Sequence, residues 1–357
     1  MTRVLSVDAT YPQPEVIAEA AAVIRRGGLV AFPTETVYGL GADGLNSSAV
    51  QAIFTAKQRP ANDPLILHLA DFEQLASITQ AVPETARILA EQYWPGPLTL
   101  VLPRAAHVPL EVSSGGPTVA ARVPAHPVAQ ALIRAAGTPI AAPSANLFSR
   151  PSPTQASDVF EDLAGRIDLI LDGGPTTIGV ESTVLSLATT PPTLLRPGGL
   201  PVEAIEALIG PILLPGEGEQ SGPVVAEGQA ASAPGMLLKH YSPRARLLYL
   251  TNTAQAGEAL IARMRQIAHE EIAAGRRLGL LLPEQELEAL ADLGLEGYGL
   301  GAQNDLGQIA ARLFAGMRAL DRAGVESILT HDYANDGLGR ALNNRLYRAA
   351  EGRTLPF

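Results

Sequence analysis

Lys57-Gln58-Arg59 stands directly before Pro60, two cations two residues apart where a helical pattern gives way to a turn. Such a pair can reach a common anion. It suits a triphosphate, with the lysine as a compact point charge and the arginine as a planar fork. A cation at a helix C-terminus is also an ordinary dipole partner, so the pair alone leaves both readings open. The composition sharpens the question, because the chain has 24 arginines and only two lysines, Lys57 and Lys239. Further along, PSANLFSRPSPT (143–154) carries Ser144, Asn146, Ser149 and Ser152 in a proline-stiffened loop after a short apolar strand. Hydroxyls and an amide at a strand end are where α/β proteins hold ligands, but turn chemistry and a helix cap at Thr154 would use the same residue types. Arg122 and Arg196 occupy strand positions in apolar company, and a buried arginine needs an anionic partner. His68 lies within LILHL, where a satisfied core histidine is the plainer reading. GLGADG (39–44) matches the G-x-G-x-x-G fingerprint. Its strand, however, ends near Pro33 and the next helix starts only at Ser47 or Ser48, so no helix N-terminus would meet a pyrophosphate. A glycine-rich turn is expected there. The chain has no Walker A sequence, no G-x-S-x-G and no H-E-x-x-H, and its six histidines show no metal-ligand spacing.

The elements that must position these residues follow from periodicity and breakers. Apolar runs predict strands at 29–32, 65–69, 98–102, 118–123, 139–142, 167–171, 182–187 and 193–196. Helical spacing predicts helices over 14–26, from Ser47 or Ser48 to before Pro60, and over 84–93, 127–136, 155–164 and 202–209. Many strands and few long helices imply α/β with a mixed, twisted sheet. Beyond it, strands at 246–250, 278–282 and 326–330 alternate with helices near 254–273, 305–323 and 338–350. That βαβ rhythm predicts a small parallel, Rossmann-like sheet. Between the two, 211–243 holds five Gly and five Pro in 33 residues and reads as a linker.

A chain of 357 residues with 46% hydrophobic and 17% charged residues can build two cores. The absence of cysteine rules out disulfides, thiolate metal sites and a cysteine nucleophile. With 26 Lys+Arg against 36 Asp+Glu, the net charge of −10 argues against a broad nucleic-acid surface. No apolar run is long enough to span a membrane, so a cytoplasmic protein is expected.

The blocks GGLVAFPTETVYGLGAD, Lys57-x-Arg59-Pro, Asp63-Pro64-Leu65, WPGPLTLVL, TVAARVPAHP, PIAAPSANLFSRPSPT, GVESTV and LLRPG occur in this order. Together they resemble the threonylcarbamoyl-AMP synthase family. With PGMLLKHYSP (234–243) and GLGRALNNRLYRAA (337–350), the chain is most similar to the long form. The resemblance implies a YrdC-like catalytic domain over 1–210, a linker over 211–243 acting as a lid, and a Rossmann-like domain over 244–357. It implies synthesis of L-threonylcarbamoyl-adenylate from L-threonine, bicarbonate and ATP with release of pyrophosphate. A separate transferase complex would then pass the group to the adenosine 3′ of the anticodon, so direct tRNA binding is not required of this chain. The family's signature falls on Lys57, Arg59, Ser144 and Asn146. Its ATP-contacting positions fall on Arg59, Asp63, Thr118, Ser144, Ser152, Arg196 and Tyr241. Its threonine-contacting positions fall on Thr34 or Thr36, His68, Arg122, Ala142 and Ser182. One departure is Asp63 before Pro-Leu, where the family usually has asparagine; a carboxylate near phosphates is repulsive unless Mg²⁺ intervenes. The expected Mg²⁺ is held mainly by the ATP phosphates, with no metal site of the protein's own.

Carbamates lose CO₂ readily, so such chemistry needs a closed, dry site. Nucleotidyl transfer then asks the protein for positioning and charge neutralisation. Lys239, His240 and Tyr241 form a cationic and aromatic cluster in a linker long enough to fold back over ATP. Three other functions compete. A YrdC-type double-stranded RNA binder or ribosome-maturation factor is opposed by 12 basic against 19 acidic residues in 1–210. A carbamoyl-transfer module of hydrogenase maturation would need zinc fingers that a cysteine-free chain cannot build. An NAD-dependent dehydrogenase would rest on GLGADG alone.

Overall fold

The computed structural model describes residues 1–214, 240–253 and 257–357. Of the expected lid, 215–239 with Lys239 lies outside the described residues, whereas His240 and Tyr241 lie within them.

The first sheet is built from β1 (Arg3–Ser6), β2 (Val30–Phe32), β3 (Gly39–Asp43), β4 (Ile66–His68) and β5 (Leu98–Pro103). It continues with β6 (Thr118–Arg122), β7 (Ile140–Ala141), β8 (Leu169–Asp172), β9 (Thr183–Ser186) and β10 (Thr193–Arg196). The strand order is β1-β8-β2-β3-β7-β4-β6-β5-β9-β10, mixing parallel and antiparallel neighbours as expected. Two features depart from the sequence reading. Strand β1 was not expected, since RVLS is short and largely exposed. GLGADG is not a turn; its first five residues are β3, which pairs with β2 and β7. The second of its three glycines has a packing reason, because a Cβ on Gly41 would lie 2.7 Å from Phe32 Cε1 and 2.8 Å from Ile140 Cγ2.

Two helix starts also differ. Ser47–Lys57 is capped by Asn46, whose Oδ1 accepts from the Ser48 and Ala49 amides at 3.1 and 3.3 Å, and not by Ser47 or Ser48. Ala156–Leu163 begins after Gln155 with no side-chain cap, and the Thr154 amide instead donates to Asp158 Oδ2 at 3.3 Å.

Strand alternation sends the two faces to different fates. Ala31, Leu40, Leu67, Leu100, Ala121, Ala141 and Leu185 point into the main core under the helices Ser47–Lys57, Glu84–Tyr93, Ala156–Leu163 and Val202–Ile209. On the other face, Val30, Phe32, Ile140, Leu169 and Leu171 are covered by the helices Pro14–Arg25 and Pro127–Ala136. That cover ends before β4. Among the described residues, the rest of this face carries a small apolar cluster, Ile66, Val101, Ala120, Val184 and Leu195. It forms the floor of a groove.

The second sheet contains β11 (Arg246–Thr251), β12 (Leu278–Leu282), β13 (Glu296–Gly299), β14 (Ser327–His331) and β15 (Leu355–Pro356). Its order is β13-β12-β14-β11-β15 and every pairing is parallel, the Rossmann-like arrangement expected. The helix Glu258–Ala273 covers one face; Leu306–Ala323 and Gly337–Ala349 cover the other. This second face also contacts the first sheet's loops, and Val37, Val180 and Tyr241 belong to its core. At Gly179 a Cβ would lie 2.4 Å from Ala310 O, so only glycine admits the helix this closely. Charge reinforces the fit. Arg318 donates to Asp162 at 2.7 Å and Pro151 O at 2.6 Å, and Arg322 reaches Asp158 and Glu161, each at 3.2 Å.

Candidate active site

The uncovered face places Ile66 and His68 of β4 beside Ala120 and Arg122 of β6, paired in register. The Pro33–Val37 turn, the loop after β7, Glu181-Ser182, Arg196 and His240-Tyr241 surround that spot. A cavity there is lined by Thr36, Arg59, His68, Arg122, Ser144 and Arg196, with Ala142, Glu181, Ser182 and Tyr241 also at its wall. A cleft on the same face is lined by Thr118, Ala120, Val101, Leu195 and Pro64. Thr118, Ala120 and Arg122 alternate along one strand, so Thr118 and Arg122 stand about 13 Å apart on one face. Thr118 is therefore separate from the cationic cavity and lines the neighbouring cleft.

Arg59 lies at the wall through local geometry. After Lys57, Gln58 takes the left-handed conformation at φ 54° and turns the chain under the helix. The Arg59 guanidinium bonds Asp63 O (3.1 Å) and Pro64 O (2.8 Å) and pairs with Asp63 Oδ2 at 2.9 Å. Asp63 is fully buried and does not line the cavity. Its carboxylate, suspect beside phosphates, is instead the counter-charge that fixes Arg59.

Lys57 does not open onto the cavity. Its Nζ donates to Ser144 O and Asn146 O, both at 2.5 Å, and fastens the PSAN loop. Burial pushes its ammonium well below the usual lysine range, and Arg59 adds to the shift. Asn146 turns into its own loop, with Nδ2 donating to Leu147 O (2.6 Å) and Arg150 O (3.0 Å). Ser144 of that loop reaches the wall. Ser152 is buried behind it and donates to Glu181 Oε1.

Arg122 is held on four sides: Nε donates to His68 Nε2 (3.0 Å), Nη1 to Glu35 Oε1 (3.0 Å), and Nη2 to Thr34 (3.2 Å) and Thr36 (3.1 Å). A guanidinium has five N–H groups, so one Nη1 hydrogen has no partner among the described residues. Because arginine only donates, His68 Nε2 must accept, and the proton sits on Nδ1, which bonds Ile66 O at 3.2 Å. Burial, with Arg122 beside it, pushes the His68 pKa well below its ordinary 6.5. Both ring nitrogens are thus engaged: His68 is satisfied, as a core histidine would be, and also stands at the wall.

Arg196 closes the opposite side, donating to Ser182 O (2.9 and 3.2 Å) and Ser182 Oγ (3.2 Å). Tyr241 is fully buried in a left-handed conformation at φ 64°, a strained setting for a non-glycine residue. Its hydroxyl and His240 Nδ1 have no hydrogen-bond partner among the described residues. The space left between these side chains is about 40 Å³, far below the roughly 300–1,000 Å³ of an ordinary ligand pocket.

Two carboxylates in this site went unassigned in the sequence. Glu35 pairs with Arg122 and receives the Ala125 amide at 3.1 Å. Burial pushes the Glu181 carboxyl up, but Arg345 and Arg196 outweigh it and hold it below the usual range. Each lies in a block whose neighbours were singled out, PTET and GVESTV, and a buried arginine without a local partner was the available signal.

The neutral state of His68 has a measurable consequence. In the unfolded chain histidine titrates near 6.5, so below that pH the unfolded state binds a proton that the folded state refuses. This group's contribution to stability falls as the pH drops, by about 1.4 kcal/mol per pH unit. Chemical denaturation of His68→Gln between pH 7 and 5 is expected to show a shallower acid loss than the parent; identical slopes would place the proton elsewhere.

Residues 22–198 match the family model of Sua5, YciO and YrdC proteins, described as telomere recombination. Residues 200–351 match the model of the threonylcarbamoyl-AMP synthase C-terminal domain. The threonylcarbamoyl-AMP synthase of Pyrococcus abyssi is 44% identical over 339 residues, 94% of each chain. That of Bacillus subtilis is 45% identical over 341 residues, 95% of this chain and 94% of its own. The crystal structure of P. abyssi Sua5 complexed with L-threonine superposes with a TM-score of 0.91 at 42% identity, covering 100% of both chains.

Proposed function

We infer the reaction from the family to which the chain belongs, the threonylcarbamoyl-AMP synthases in their long form, with a YrdC-type domain followed by a second α/β domain. The protein is a nucleotidyltransferase that makes L-threonylcarbamoyl-adenylate from L-threonine and ATP, the first step of tRNA threonylcarbamoyladenosine formation. In our reading bicarbonate supplies the carbamoyl carbon. The threonine amine and bicarbonate give the carbamate and water; a carbamate oxygen attacks the α-phosphorus, and pyrophosphate leaves. A separate tRNA transferase takes the product. No helix among the described residues is long and apolar enough to cross a membrane.

The observation that carries this reading is a cavity walled by Arg59, Arg122 and Arg196 with a second, open cleft beside it on the same sheet face. ATP would lie across the two, with adenosine over the floor near Thr118 and phosphates toward Arg59, Arg196 and Ser144. Arg59 and Arg196 stabilise phosphate charge from a dry wall, where charges act with little screening. Mg²⁺ arrives as the counter-ion of ATP; the described residues hold no cluster of three His, Asp or Glu side chains that could bind it alone. Threonine would lie against His68, Arg122, Thr36, Ala142 and Ser182, its carboxylate meeting the one remaining Nη1 hydrogen of Arg122. His68 serves that site as the acceptor that orients Arg122. The cavity itself is only about 40 Å³, so in this reading His240 and Tyr241 move aside to admit threonine and the phosphates. They would then return over the nucleotide, which is the role expected of a lid.

The test is pyrophosphate release with ATP and bicarbonate, with and without L-threonine, with the adenylate identified by mass. Threonine-dependent release is expected. L-serine, lacking one methyl group, should be a poor substrate, by about 1–3 kcal/mol. Release independent of threonine would overturn the reading.

A further inference from the structure

We propose that Arg345, on the helix Gly337–Ala349 of the C-terminal domain, is a positioning residue of the nucleotide site. It acts by gripping Glu181 and backing the Tyr241 ring. The proposal rests on the synthase reading above and makes the second domain part of the catalytic unit rather than an appended module.

Arg345 is fully buried at the junction of the two domains. Its Nε donates to Glu181 Oε2 at 2.8 Å, and its Nη1 donates to Pro197 O at 2.7 Å and Asn344 Oδ1 at 2.8 Å. Its Nη2 has no hydrogen-bond partner among the described residues. The guanidinium also lies over the Tyr241 ring, 5.2 Å from its carbon to the ring centroid, within cation–π range. Phe314, from the same domain, stacks with Tyr241 at 5.3 Å and 28°. The strained left-handed Tyr241 is therefore braced by two residues that follow it by 73 and 104 positions. Glu181, the other end of the grip, also takes the Ser152 hydroxyl and stands at the cavity wall beside Arg196.

Burying a guanidinium is expensive, and docking alone does not require it here. Arg318 and Arg322 already pair with Asp162, Asp158 and Glu161 across the same junction. Arg345 differs in what it touches: both of its main partners line the cavity, whereas those acidic residues do not. Lysine could not replace it, having one compact charge where a fork serves Glu181, Pro197 and the ring together.

The experiment compares full-length Arg345→Gln, Arg345→Lys and Arg322→Ala with the parent, by thermal melting and by kinetics against ATP and threonine separately. Arg322 serves as a docking control, since it ties the domains together without touching the cavity. For Arg345→Gln the ATP KM should rise, or kcat fall, about 10- to 100-fold, the range for one lost charge-assisted hydrogen bond. The threonine KM should stay within about twofold. Arg345→Lys should recover only part of the loss, and Arg322→Ala should keep parental kinetics. In a Tyr241→Ala, Glu181→Gln background, Arg345→Gln should cost little more, because its two targets are already gone. Parental kinetics in Arg345→Gln, the same loss in Arg322→Ala, or an undiminished cost in that background would overturn the proposal. A parent enzyme that makes no adenylate would instead overturn the synthase reading on which it rests.

Discussion

Arg59→Ala is expected to lose adenylate synthesis by roughly 10²- to 10³-fold, the cost of removing one preorganised charge-stabilising donor, and to melt markedly earlier. The two effects have separate origins. Asp63 is fully buried and pairs with Arg59 at 2.9 Å, so truncating the arginine strands a carboxylate in the interior. Breaking a buried pair from one side typically costs about 3–5 kcal/mol. Adding Asp63→Asn should therefore return much of the stability, since a neutral amide needs no counter-charge. It should return none of the activity, because the cation at the cavity wall, assigned above to the phosphates, is still missing. If the double variant regains synthesis, Arg59 matters only for the local fold. If Arg59→Ala alone keeps both activity and melting temperature, the assignment fails altogether.

Lys57→Met is the second large effect, and it should act through the loop. The ammonium holds Ser144 O and Asn146 O at 2.5 Å each. Without it two buried carbonyls lose charge-assisted bonds worth about 1.5–3 kcal/mol apiece. Hydrogen exchange across 143–149 should accelerate, and activity should fall with it because Ser144 no longer reaches the wall in one fixed position. An inactive variant with an undisturbed loop would mean that Lys57 meets the phosphates directly. An active one would remove it from the site.

The contrast between these neighbours explains what could be read from residues alone. Periodicity located most strands, most of the long helices and the parallel second sheet, because each rests on local spacing. Chemical type singled out Arg122 and Arg196, as arginines in apolar company, and Arg59, as half of a cation pair, and all three line one cavity. Partners were the harder part. Glu35 reaches Arg122 over 87 positions and Glu181 reaches Arg345 over 164, and nothing local distinguishes a buried carboxylate from a surface one. The Lys57 side chain could have pointed outward or inward, and only the fold placed two carbonyls at its tip. GLGADG misled for a related reason. Glycine marks a turn when conformation demands it, but Gly41 is there because Phe32 and Ile140 leave no room for a side chain. Asp63, an oddity beside the usual asparagine, made sense once Arg59 was seen to bend back onto it.

The second domain's core takes Val37 and Val180 from the first and is completed by Leu342, Leu346 and Ala349 near the far end of the chain. During synthesis this has a cost in time. If the first domain folds as its last strand, ending at Arg196, is made, the apolar side chains of Val37 and Val180 are left uncovered. At the ordinary pace of about 5–20 residues per second, the ribosome needs roughly 8–30 s more to reach Ala349. For that interval a folded first domain would lack the cover of Val37 and Val180 and the arginines that pair with Asp158 and Asp162. A chaperone that recognises apolar patches would find its substrate there, and codons that slow the ribosome beyond position 200 would lengthen the exposure.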